Sequence, residues 1–246
     1  MTARTRPVAV VVGAAGGIGS AVVARLVEQG RQVVAVDQSP ATGQLASAEV
    51  STLVADVVEP AALPEAFRLA AQRGPIDSVV HCVLAESRGP LTELDRAALA
   101  RVFEVGVTSA TEAVQLLHRL GTRPAAGVLV GSIHAGLALP SSGAYAMGKA
   151  ALRALNRAAA IEWGRADMRC NLVEPGFVAV ARNRARWAGP AQRERIERAH
   201  LRPRLAVPAD VAAVVAFLLS SDACYVNGAV IPVDGGASAL FTEESP

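Results

Sequence analysis

Seven short runs of the chain are almost wholly apolar, and their lack of alternation constrains the fold more than any other feature. Val8–Val12, Gln32–Val36, Thr52–Ala55, Ser78–Cys82, Gly127–Val130, Arg169–Val173 and Val230–Val233 read as strands. A strand with one wet face alternates polar and apolar residues, whereas one covered on both faces has no need to, as in a parallel sheet. Between the runs, Ile18–Gln29, Ala61–Gln72, Ala97–Leu120, Gly143–Gly164 and Ala209–Ser220 carry apolar residues three and four apart, the helical period. The alternation predicts an α/β chain, a Rossmann-like doubly wound parallel sheet of seven strands in the order 3-2-1-4-5-6-7, with helices on both faces. With 246 residues, 52% of them hydrophobic and 19% charged, a large core is available and disorder is excluded. A single domain over 1–246 is expected.

Other classes fall away quickly. A net charge of +2 and 4% aromatic residues argue against nucleic acid and membrane surfaces as partners. Arg4 and Arg6 ahead of the uncharged stretch Val8–Ala24 imitate the start of a signal peptide. Four glycines inside that stretch would cost a continuous helix about 1 kcal/mol each, and the stretch is shorter than a membrane span. Cys82, Cys170 and Cys224 are scattered, with neither disulfide nor zinc spacing, and no two histidines fall at ligand spacing, so no metal is expected. A soluble protein of the reducing cytoplasm is the expectation.

The first strand runs into Gly13-Ala14-Ala15-Gly16-Gly17-Ile18-Gly19 and then a helix. Such a turn lets backbone N–H groups approach a pyrophosphate at the positive end of the helix. Asp37 ends the second strand eighteen residues past Gly19, where a carboxylate accepts from adenine-ribose hydroxyls and repels a 2′-phosphate. No basic residue follows it until Arg68, which predicts NAD(H) over NADP(H). Asp56, at the end of the third strand, is placed either beside the adenine or as a helix-initiating turn residue.

Tyr145 and Lys149 stand four residues apart, on one face of a helix, and Ser132 closes the fifth strand thirteen residues before Tyr145. Lys149 is the sole lysine beside twenty-three arginines. A compact ammonium therefore has a task there that a planar guanidinium does not fill. With Gly13-x3-Gly17-x-Gly19, Asn171, Pro175-Gly176 and Val233-Asp234-Gly235-Gly236, these residues resemble the short-chain dehydrogenase/reductase superfamily in its single-domain form. The resemblance implies hydride transfer between a nicotinamide and a secondary alcohol or ketone. Tyr145 would act as acid/base, Lys149 would tune it and bind ribose, and Ser132 would orient the substrate oxygen. It also implies cofactor contacts from Gly13, Gly17, Ile18, Gly19, Asp37, Asp56, Val57, Pro175, Gly176 and Val178, and a homotetramer or homodimer. A tyrosine near pKa 10 is a poor base, and a neighbouring ammonium, together with the positive nicotinamide of the oxidised cofactor, would favour its phenolate.

The chain departs from that family's pattern in three places. His81-Cys82-Val83-Leu84 stands where Asn-Asn-Ala-Gly is usual, Gly106 where the long helix presents an asparagine, and Val180 where a threonine follows Pro175. Either the Gly106 carbonyl still holds a relay water, in a helix that glycine widens locally, or catalysis is weakened and the protein is a silent NAD-binding sensor or scaffold. His81 is expected to support the strand end near the adenosine, and Cys82 to fill core volume. His134, Phe177 and Trp187 are candidate walls of a substrate pocket, with plain loop and packing roles as the other reading. A substrate lid is expected over about 179–207, and Ala179–Arg204 holds eight arginines. These are either a solvated helical face or an attractor for an anionic substrate.

Overall fold

The computed structural model describes residues 6–240 apart from Leu84, Ala138, Ala199 and Pro203, so Arg4 and Leu84 of the sequence reading lie outside the described residues. Strands β1 (Val8–Val12), β2 (Gln32–Asp37), β3 (Val50–Val54), β4 (Ile76–His81), β5 (Ala125–Val130), β6 (Met168–Pro175) and β7 (Val230–Val233) form one sheet. Its order is β3-β2-β1-β4-β5-β6-β7, with every neighbouring pair parallel. The expected order and parallel sense are what the structure has.

The residues of β1 explain why the strands do not alternate. Val8, Val10 and Val12 pack into one core layer with Phe67 of α2 (Ala62–Arg73), while Ala9 and Val11 join the opposite layer with Leu26 of α1 (Gly17–Glu28). Both faces are dry, and each fully buried Val or Leu contributes about 1.5–3 kcal/mol. The edge strand β7 carries Pro232, whose missing N–H is harmless where only one neighbour is paired.

The expected helix over 97–120 is not continuous. It is α3 (Arg96–Phe103), a π-helical turn over Glu104–Thr108 and α4 (Ser109–Leu120), so Gly106 sits at the middle of a widened turn. The remaining helices are α5 (Gly143–Trp163), α6 (Pro190–Arg198) and α7 (Pro208–Leu219). α6 was legible only as part of a lid, and its lack of any buried residue explains why no apolar period announces it. β1 lies between β2 and β4, where the chain's winding reverses, and the carboxyl ends of these strands open a crevice there.

Candidate active site

A cleft of about 1090 Å³ runs along the carboxyl ends of the strands. At one end is the glycine turn. Gly13 has φ +83°, and a Cβ at Gly19 would collide with the Gly13 carbonyl oxygen, so the tight turn requires both glycines. The N-cap of α1 is Gly16, with no capping side chain and no acid in the first turn. The orphan N–H groups of that turn are thus left for an anion, and Gly17, Ile18 and Gly19 line the cleft. The chain's residues fit a dinucleotide pyrophosphate.

Asp37 lines the cleft beside this turn, its Oδ2 accepting from Ala15 N at 3.1 Å and its Oδ1 from Ser39 N at 3.0 Å. A carboxylate has about four acceptor positions, so two are left for hydroxyls. Asp56 accepts from Val58 N at 3.2 Å and from the Arg101 guanidinium at 2.8 Å, which holds its carboxyl below the usual range. Val57, Pro175, Gly176 and Val178 line the same cleft.

Ser132, Tyr145 and Lys149 converge at the cleft's middle. Ser132 is buried just beyond β5, its hydroxyl accepting from His134 N at 3.2 Å. Lys149 is buried on α5, donates from Nζ to the Val130 carbonyl at 2.7 Å, and lies 5.9 Å from the centre of the Tyr145 ring. Burial pulls its pKa down to about 8. Burial also raises the Tyr145 phenol above its ordinary range, while the facing Ser132 hydroxyl opposes the shift. In the protein alone the phenol is therefore raised, whereas the expected lowering is for the complex with the oxidised nicotinamide. Desolvation is the largest influence on the phenol, and the Lys149 ammonium donates to the Val130 carbonyl.

One further expectation changes, that for Trp187. His81 sits at the end of β4, where a supporting role was expected, and does not line the cleft. It is fully buried, with Nε2 2.7 Å from Ser109 Oγ, and Ser109 in turn donates to the Val105 carbonyl at 2.6 Å. The serine proton is spent on Val105, so the imidazole donates from Nε2 and ties β4 to the π turn. Burial lowers its pKa to about 3. Trp187 does not line the cleft either, because its indole N–H finds partners inside its own segment, Asn183 Oδ1 at 2.8 Å and the Val180 carbonyl at 3.2 Å. His134 and Phe177 do line it, and Cys82 lines it while its thiol is pushed up to about 12 by burial.

The eight arginines divide. On α6, Arg193 pairs with Glu197 and Arg198 with Glu194, the solvated face of the plainer reading. Arg182, Arg186 and Arg195 instead line the cleft. Val178 and Ala206 form a parallel bridge, which brings the two ends of the 179–207 segment together. Glu86, Arg88 and Arg101 also line the cleft and were not foreseen. A signal existed for the first two, a charged pair just past a buried strand's carboxyl end. None existed for Arg101, whose partner is 45 residues away.

The family profile described as Enoyl-(Acyl carrier protein) reductase matches residues 13–238. The chain is 37% identical over 249 residues to the cis-4-hydroxycyclohexanecarboxylate dehydrogenase of Sinomonas cyclohexanicum, covering 95% of this chain and 97% of that one. It is 32% identical over 254 residues to the 2,3-dihydro-2,3-dihydroxybenzoate dehydrogenase of Bacillus subtilis, covering 94% and 95%. Among solved structures, a short-chain dehydrogenase/reductase from Serratia marcescens superposes with TM-score 0.88 at 30% identity, covering 95% of this chain and 99% of that one.

Proposed function

The chain belongs to the short-chain dehydrogenase/reductase superfamily, and from that premise we propose an NAD(H)-dependent oxidoreductase that interconverts a secondary alcohol and a ketone. The observation that carries this reading is the convergence of Ser132, Tyr145 and Lys149 in one cleft with an uncapped, glycine-built helix start. A bound nicotinamide supplies the hydride acceptor or donor. Tyr145 gives a proton to the substrate oxygen in reduction and takes it back in oxidation. Ser132 holds that oxygen against the phenol, and Lys149 sits behind it as a buried cation within reach of a ribose.

Asp37 supports NAD(H) over NADP(H), since its charge repels a 2′-phosphate. The substrate is a small molecule, and an anionic one is favoured: arginines outnumber acids at the cleft mouth, and two relatives are named for acting on a carboxylate and a benzoate. We assign residues 1–246 to a single catalytic domain with 179–207 as its lid, working in the cytoplasm as a homotetramer or homodimer. NADH titration by fluorescence, followed by turnover over a panel of ketones, tests the reading. Tight NADH binding with substrate oxidation and reduction is expected. NADH binding with no turnover, unchanged in Tyr145→Phe, would leave a silent dinucleotide-binding protein in its place.

A further inference from the structure

At the end of the cleft away from the glycine turn, charge and partners are unevenly shared. Glu86 accepts from Arg88 at 3.1 Å and faces Arg182 at 3.5 Å, so two guanidiniums lean on one carboxylate. Arg186 has no ion pair among the described residues, and its guanidinium lies over the Phe177 ring, 5.0 Å from its centre. An aromatic platform beneath a guanidinium restricts its motion and leaves its N–H fork free for a planar anion. His134 lines the same cleft, its ring edge-on to Tyr145 at 5.9 Å and its Nδ1 buried with no hydrogen-bond partner among the described residues. Burial, then the charges of Arg88 and Arg186, lower its basicity, so the ring is neutral near pH 7. Arg195 also lines the cleft without an ion pair among the described residues, but it is not among the charges that act on His134.

We propose that Arg186, braced on Phe177, and His134 form a carboxylate subsite, so that the substrate carries a carboxylate remote from its reacting carbon. The proposal rests on the oxidoreductase reading above and deepens it. A guanidinium offers two parallel N–H donors to the two oxygens of a carboxylate, which a point charge does not. A neutral imidazole beside it adds a polar contact without a second charge. Arg88 and Arg182 share the Glu86 carboxylate, whereas Arg186 has no ion pair among the described residues, so the anion is directed to Arg186.

The test uses the full chain saturated with NAD⁺, which has no hydride to give a ketone, titrated calorimetrically with 4-oxocyclohexanecarboxylate and with its methyl ester. The acid is expected to bind at least about tenfold more tightly than the ester, the scale of one charge-assisted pair. Arg186→Met should abolish that advantage while leaving ester and NADH binding within about twofold. Arg193→Met, on the paired outer face of α6, should keep it. Equal binding of acid and ester, binding of neither, or the same loss in both variants overturns the subsite. The two proposals fail separately. Selective acid binding without ketone reduction by NADH removes the oxidoreductase reading and keeps the subsite, and reduction of both compounds with equal affinity for acid and ester does the reverse.

Discussion

The two ends of the cleft are built by different means. At the cofactor end the contacts come from backbone and short side chains at strand ends: the uncapped start of α1, the Gly13 turn and a carboxylate fastened by two local N–H groups. At the other end they come from long charged side chains meeting across the chain: Glu86 and Arg88 after β4, Arg182 and Arg186 in the 179–207 segment. Backbone anchored to a sheet with two dry faces is held in place by core packing. An ion pair of half-exposed side chains contributes about 0–1 kcal/mol and is easily rearranged. The first end suits a ligand that does not change, the second a ligand that differs between relatives.

The largest effect that would break this contrast lies where the ends meet. Tyr145→Phe should lower turnover by about 10²–10⁴-fold, the scale of a general acid, with NADH affinity unaltered by fluorescence titration. A loss of NADH binding of similar size would show that the two ends are not separable. Next, Asp37→Ala should weaken NADH binding about tenfold, for the loss of charge-assisted acceptors, and narrow the gap to NADPH, while ketone KM at saturating cofactor stays put.

The pH dependence follows from the raised phenol. A phenol that burial raises above its ordinary range carries its proton at neutral pH, so the protein alone is poised as an acid. Ketone reduction should therefore be flat through neutrality and fall only at high pH, whereas alcohol oxidation climbs about tenfold per pH unit between about pH 7 and 9, with the small phenolate fraction of a phenol still mostly protonated there. Oxidation that declines over that range would reverse the assignment of Tyr145. Smaller still is Gly106→Asn. An added Cβ there meets nothing within 4 Å, and the turn's π geometry is tied by His81 and Ser109, so rates should change by less than about threefold. Last, Trp187→Phe should lower the melting temperature by a few degrees through the lost indole bonds and leave KM unaltered, since the ring faces its own segment.

Much of the framework was legible because its causes are local. The apolar runs gave strands within a few residues, and the strand–glycine–helix transition located the cleft before any contact was known. The break in the long helix was half-visible. Glycine at 106 allows widening, but only the buried hydrogen bonds from His81 through Ser109 to Val105 show what supports the turn. The arginines were least legible, since Arg186 and Arg193 look alike in sequence while one faces a cleft and the other a glutamate four residues on.

Periodicity and a few glycines determine a parallel sheet and an anion-ready helix start, because both depend on the residues next to each other along the chain. The direction of the tyrosine's titration, the partner of the lone lysine and the division of arginines between cleft and solvent belong to tertiary structure. Desolvation and charge act through space, and residues far apart in the chain set both.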